Sequence, residues 1–126
     1  MDQASGRPSS AAGSRTEELA TAVAVLLRSV AAADRRFDDR EVALLGEALR
    51  EVAPNDGELQ ARLLGSVRQM KSGDDDVAGA VRVVRTAGSR AATRVAELAR
   101  GVAEADGKVT AKERERLDEL ERALLG

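Results

Sequence analysis

From residue 16 to the C-terminus, apolar residues recur every three or four positions in six runs, each bounded by turn-forming or capping residues. That spacing places each run on one face of an α-helix. A strand would bring side chains to one face at every second position instead. The first stripe is Leu19, Val23, Leu26, Leu27 and Val30, ending near Asp34. Ser14 and Glu17 stand three apart ahead of it, the spacing of a capping box, in which the cap hydroxyl and the acid satisfy each other's backbone N–H. Asp38 and Glu41 open the next helix in the same way, on Val42, Leu45 and Leu49, and Pro54 with Asn55-Asp56-Gly57 stops it. A third helix is predicted from about Glu58 to Met70, on Leu59, Leu63, Leu64 and Val67, before the break at Ser72-Gly73.

Asp74, Asp75 and Asp76 begin a fourth helix carrying Val77, Val81 and Val84. Three acids there complement the positive end of the helix dipole, and a metal cluster is the sharper alternative. A fifth helix uses Val95, Leu98 and Val102 and ends near Asp106-Gly107. The pair Thr110 and Glu113 opens a sixth on Leu117, Leu120 and Leu124. Residues 1–14 are small, polar and broken by Pro8, and are expected to form a disordered tail. Residues 15–126 then make one domain, an all-α compact helical bundle. Gly46, Gly65, Gly79 and Gly101 fall inside the predicted helices, where each costs roughly 1 kcal/mol against alanine. Close helix crossings are the expected reason, with a hinge as the alternative.

The most specific feature is an internal repeat. VAAADRRFDDREVALL, from Val30 to Leu45, aligns with VAEADGKVTAKERERL, from Val102 to Leu117. Val30 matches Val102, Asp34 matches Asp106, Phe37 matches Val109, Glu41 matches Glu113 and Leu45 matches Leu117. Each copy reads as a helix end, an Asp, an apolar plug before an N-cap, and a Glu three residues after the cap: a duplicated helix–turn–helix. Capping and stapling explain every one of these positions. The functional reading is a carboxylate site, in which Asp34 with Glu41, or Asp106 with Glu113, shares a hard cation such as Ca²⁺ or Mg²⁺ through oxygens. The second copy is similar to the latter half of an EF-hand loop. Its first ligand would be Val102, which cannot coordinate, so an EF-hand is excluded.

Composition narrows the chemistry. Apolar residues make up 43 % of the 126 residues, yet Phe37 is the only aromatic, so alanine, leucine and valine must fill the core. The chain has neither cysteine nor histidine. Disulfides, thiolate nucleophiles, cysteine zinc sites and imidazole general bases are therefore absent. Ser72 adjoins Lys71, but neighbouring residues do not face each other, which removes a Ser–Lys dyad. No enzyme activity is expected. A net charge of −2 decides nothing about nucleic acid. Arg82, Arg85, Arg90 and Arg94 form a basic surface without an interleaved aromatic to stack a base, so a solvated face or an acidic protein partner is expected rather than nucleic acid. The last helix flanks its leucines with charge; Arg114–Asp118 and Asp118–Arg122 attract at four-residue spacing, and Glu115–Glu119 repel. No apolar stretch approaches the roughly twenty residues of a membrane span, and no signal peptide is evident, so a cytoplasmic location is expected.

The two repeat copies, and the order of helices around them, resemble the TerB-like family, named for tellurite-resistance proteins. The resemblance runs from about Thr16 to the C-terminus and rests on AAADRRFDDREVALL and AEADGKVTAKERERL. It implies an all-helical, non-enzymatic module of tellurite resistance and wider stress responses. It also implies metal ions at acidic positions, here Asp34, Glu41, Asp106 and Glu113, and protein partners, some membrane-associated. One departure matters: Arg35-Arg36 stands in the first copy where the second has Gly107-Lys108. Guanidinium groups beside Asp34 oppose a cation, which favours the second corner as the metal site. The competing reading is a metal-free protein–protein interaction or scaffold domain whose acidic corners are helix caps alone.

Overall fold

A computed structural model of the chain describes residues 3–31, 39–105 and 109–126, with side chains from residue 15 onward. Its described residues form six α-helices: α1 (Gln3–Ala31), α2 (Asp39–Val52), α3 (Gly57–Ser66), α4 (Asp74–Thr86), α5 (Ser89–Ala103) and α6 (Ala111–Leu125). The all-α class and the six predicted segments match this order. Asp34, Arg35, Arg36, Phe37, Asp38, Asp106, Gly107 and Lys108 lie outside the described residues.

Helix α1 is the axis of the bundle and touches each of the other five. Its predicted stripe proves too narrow. Ala20, Ala22, Val23, Ala24, Leu26, Leu27, Ser29, Val30 and Ala31 are all buried. A helix enclosed on nearly every side must be apolar nearly all round, and alanines supply the faces that leucine and valine do not. Ser29 fits because its hydroxyl donates to the Leu26 carbonyl at 3.0 Å. The helix also begins at Gln3, upstream of the expected start at Ser14, and runs through Pro8. Once the packed half exists, extending a helix adds one hydrogen bond per residue fixed, so a weak helical sequence can join it.

Around this axis, Leu45 and Leu49 of α2, Val84 of α4, Ala99 and Val102 of α5, and Leu117, Leu120 and Leu124 of α6 complete the core. Five expected core residues, Leu19, Val42, Leu64, Val77 and Leu98, are only half-buried. In α5 the buried surface is carried by Ala92, Ala96 and Ala99 beside Val95 and Val102. Helix α3 ends sooner than expected, at Ser66, and tightens into a 3₁₀ turn at Val67–Gln69. Arg28 of α1 holds that turn, donating from Nε to the Val67 carbonyl at 2.6 Å and from its terminal nitrogens to the Arg68 carbonyl and Ser72 Oγ. One side chain thus ties two carbonyls of the turn to α1, adding to the bond that the Val67 carbonyl accepts from the Met70 N–H.

The expectation that interior glycines mark helix crossings fails at three of the four positions. A Cβ at Gly65, Gly79 or Gly101 would meet no heavy atom within 4 Å. Gly46 alone faces a neighbouring helix, and even there the nearest atom of Leu64 would lie at 3.7 Å, an ordinary contact. Close approach therefore requires none of these glycines.

Candidate functional site

The duplication is visible in the backbone. Ala31 and Ala103, which are aligned, close α1 and α5; Asp39 and Ala111, also aligned, open α2 and α6. Each copy is a pair of helices in contact, α1 with α2 and α5 with α6. The half-buried Val109 packs against the core at the plug position.

In the second corner the predicted capping box is complete. Thr110 Oγ1 accepts from the Glu113 N–H at 3.1 Å, and Glu113 Oε1 accepts from the Thr110 N–H at 3.0 Å. Beyond that geometry, Glu113 is buried, with 1 % of its surface exposed, and its counterpart Glu41 is buried at 5 %. The described residues offer an internal control. In α4, Asp76 makes the same bond back to its cap, accepting from the Gly73 N–H at 3.1 Å, yet Asp76 is exposed. Capping therefore does not require burial.

Spacing explains the difference. Glu113 precedes Leu117 by four residues and Leu124 by eleven, which puts it at the centre of the apolar stripe of α6; Glu41 stands in the same relation to Leu45. Asp76 lies off the axis of the Val77, Val81 and Val84 stripe. This signal was present in the sequence and would have predicted buried glutamates.

The four proposed metal ligands divide evenly. Glu41 and Glu113 sit at equivalent buried positions at the starts of α2 and α6; Asp34 and Asp106 lie outside the described residues. Among the described residues, no group of three or more acidic side chains is gathered as a metal cage would need. Asp74, Asp75 and Asp76 lie in the first turn of α4 as expected, where Asp76 closes the cap and Asp74 approaches Arg116 at 3.9 Å. The donor set at the corners is all oxygen, which suits Ca²⁺ or Mg²⁺ and not the softer transition metals.

The arginine surface is partly consumed internally. Arg94 grips Glu51 through two bonds, Nε to Oε2 at 2.7 Å and a terminal nitrogen to Oε1 at 2.9 Å, and also reaches Glu97. Hydrogen bonding to Arg94 holds the Glu51 carboxyl below its ordinary value, and the same pairing raises Arg94. Arg85 donates to the Ala123 carbonyl at 3.2 Å, near the end of α6. Two of the four arginines considered for nucleic acid thus have protein partners. On α6, Arg100 of α5 pairs with Glu121 at 2.6 Å, while Arg122 donates to the backbone carbonyl of Asp118 rather than to its carboxylate. No helix among the described residues is long and apolar enough to cross a membrane.

The family model described as "Tellurite resistance protein TerB" matches residues 20–125. No curated protein and no solved structure matches the chain.

Proposed function

Because the chain belongs to the TerB family of tellurite resistance proteins, we propose that it is a non-enzymatic, cytoplasmic module of a stress response that works through protein partners and holds a hard divalent cation at its second acidic corner. The observation that carries the metal part is the burial of Glu41 and Glu113 at equivalent positions, against the exposed Asp76 that makes the same capping bond. A buried carboxylate is costly unless opposite charge or donors compensate it, and a cation in the adjoining turn is one such compensation. Asp106 and Glu113 would hold the ion, which would brace the α5–α6 corner. The first copy, with Asp34 and Glu41, has Arg35-Arg36 next to Asp34 in sequence and is the weaker site. Partners include membrane-associated proteins, met by this chain from the aqueous side.

Calorimetric titration of Ca²⁺ and Mg²⁺ into EDTA-treated protein tests the metal part. One site per chain is expected, abolished in Asp106→Ala and retained in Asp34→Ala. Absence of heat with either ion at millimolar concentration would remove the cation from the account.

One observation favours a second reading. The reciprocal bonds between Thr110 and Glu113 give both residues a structural duty without any ion. In that reading the domain is a metal-free scaffold, and Glu113→Gln, which keeps the capping acceptor, leaves partner binding intact.

A further inference from the structure

The face that α4 turns to solvent has no duty in either reading. Helix α4 buries Ala80, Val81 and Val84, so its outer ridge is Asp75, Ala78, Gly79, Arg82 and Thr86. Depressions flank the ridge. On the α1 side, a groove of about 500 Å³ is floored by Ala22, Val25, Ala80 and Val83 and edged by Glu18 and Asp76. On the α6 side, one of about 420 Å³ is floored by Val77, Val81 and Leu120 and edged by Arg85 and Arg116. Asp74 and Glu119 also line the α6-side groove beside Arg116, so acid occurs on both flanks and arginine lines only the α6-side groove.

The ridge itself is polarised, and symmetrically. Asp75 and Arg82 are placed evenly about the Ala78–Gly79 pair, the two smallest side chains of the ridge. No ion pair to Asp75 or Arg82 exists among the described residues. Nothing within the protomer requires Gly79, since a Cβ there would meet no atom within 4 Å, while glycine at mid-helix costs roughly 1 kcal/mol. We propose that this face is the interface of a homodimer, in which α4 packs antiparallel on α4 of a second copy about a two-fold axis between Ala78 and Gly79.

A two-fold axis there sets Asp75 against Arg82 of the partner subunit, and Arg82 against Asp75 of the partner subunit, so one pattern satisfies both ends, as an isologous contact demands. The small pair at the axis admits the close backbone approach that a bulky pair would prevent. Parallel pairing would instead oppose like charges, and a partner without the same reversed charge order would satisfy only one end. The half-buried Val25 and Val83 beside the ridge would gain cover.

Sedimentation equilibrium on the whole chain, from about 10 μM to about 1 mM, tests this. The mass should rise with concentration from 13.3 kDa toward twice that value. Arg82→Glu replaces two attractions with two repulsions and should weaken association at least about tenfold. The double variant Asp75→Arg/Arg82→Asp, which reverses both charges, should recover it. Arg122→Glu, the same charge change at the far end of α6, should leave it unaltered, and circular dichroism at low concentration establishes that each variant is folded. A wild type that stays at 13.3 kDa throughout, whatever else the face binds, overturns the proposal. So does a dimer indifferent to Arg82→Glu, or a double variant that fails to recover.

Discussion

Glu113 and Asp76 make one kind of bond in two environments, and their truncation separates capping from burial. Asp76→Ala removes an exposed capping acceptor and should cost about 0.5–1 kcal/mol, because water replaces it at the Gly73 N–H. Glu113→Ala removes a part-buried, charge-assisted bond from the Thr110 N–H, worth about 1.5–3 kcal/mol. It also removes one buried methylene, Cγ, worth about 0.8 kcal/mol. Relief of the buried charge offsets part of this, leaving a net loss of about 2–3 kcal/mol. Glu41→Ala should cost a similar amount, since Glu41 occupies the aligned position and is equally enclosed. Urea unfolding followed by circular dichroism at 222 nm measures all three, with an unchanged dependence on urea showing that the same unfolding is compared. If Glu113→Ala cost no more than Asp76→Ala, the buried carboxylate would be incidental to the corner, and the reasoning from its burial would fail.

Other consequences follow from single contacts. Gly46→Ala and Gly101→Ala should each stabilise by about 0.5–1 kcal/mol, since the added methyl meets at most an ordinary contact; a lower melting temperature would contradict this. Arg28→Met keeps much of the side-chain volume but removes three donated bonds, so it should cost about 2–3 kcal/mol and speed hydrogen exchange around Val67–Met70 above the rest of the core. Glu51→Gln should cost under about 1 kcal/mol at neutral pH, because both partners are about half-exposed and solvent screens them. The folded-state carboxyl is held low, so its contribution is present above the ordinary carboxylate range and is lost as pH falls through the depressed value. The variant and wild type should therefore converge in stability in acid; a gap that persisted there would refute the pairing.

Much of this architecture was legible in the chain because helices, caps and repeats are written locally. Thr110 and Glu113 predicted their reciprocal bonds, and Pro54 with Asn55-Asp56-Gly57 predicted the end of α2, because the relevant partners lie within four residues. What depended on distant neighbours was not legible. The enclosure of α1 on nearly all faces follows from helices that arrive later in the chain, so a five-residue stripe understated it. The early end of α3 depends on Arg28, a residue nearly forty positions upstream whose only local signal is a charge set among Leu26, Leu27 and Val30. The interior glycines show that low volume alone does not signal close approach, since three of them face open space. Burial of Glu41 and Glu113 was readable from their register with Leu45 and Leu117, had the acids been placed on the same helical wheel as the leucines.

The proposed bracing of the second corner by a cation is tested most directly by a thermal melt, followed by far-ultraviolet circular dichroism, in EDTA and then in Ca²⁺ or Mg²⁺. Intrinsic fluorescence cannot serve, since the chain has neither Trp nor Tyr. An ion at about a hundred times its dissociation constant adds about 2.7 kcal/mol, a shift of many degrees for a domain of this size. That shift is expected in the wild type, with its loss in Asp106→Ala and its persistence in Asp34→Ala. Melting curves that superimpose in EDTA and in every ion would contradict it, leaving Glu113 as a buried helix cap.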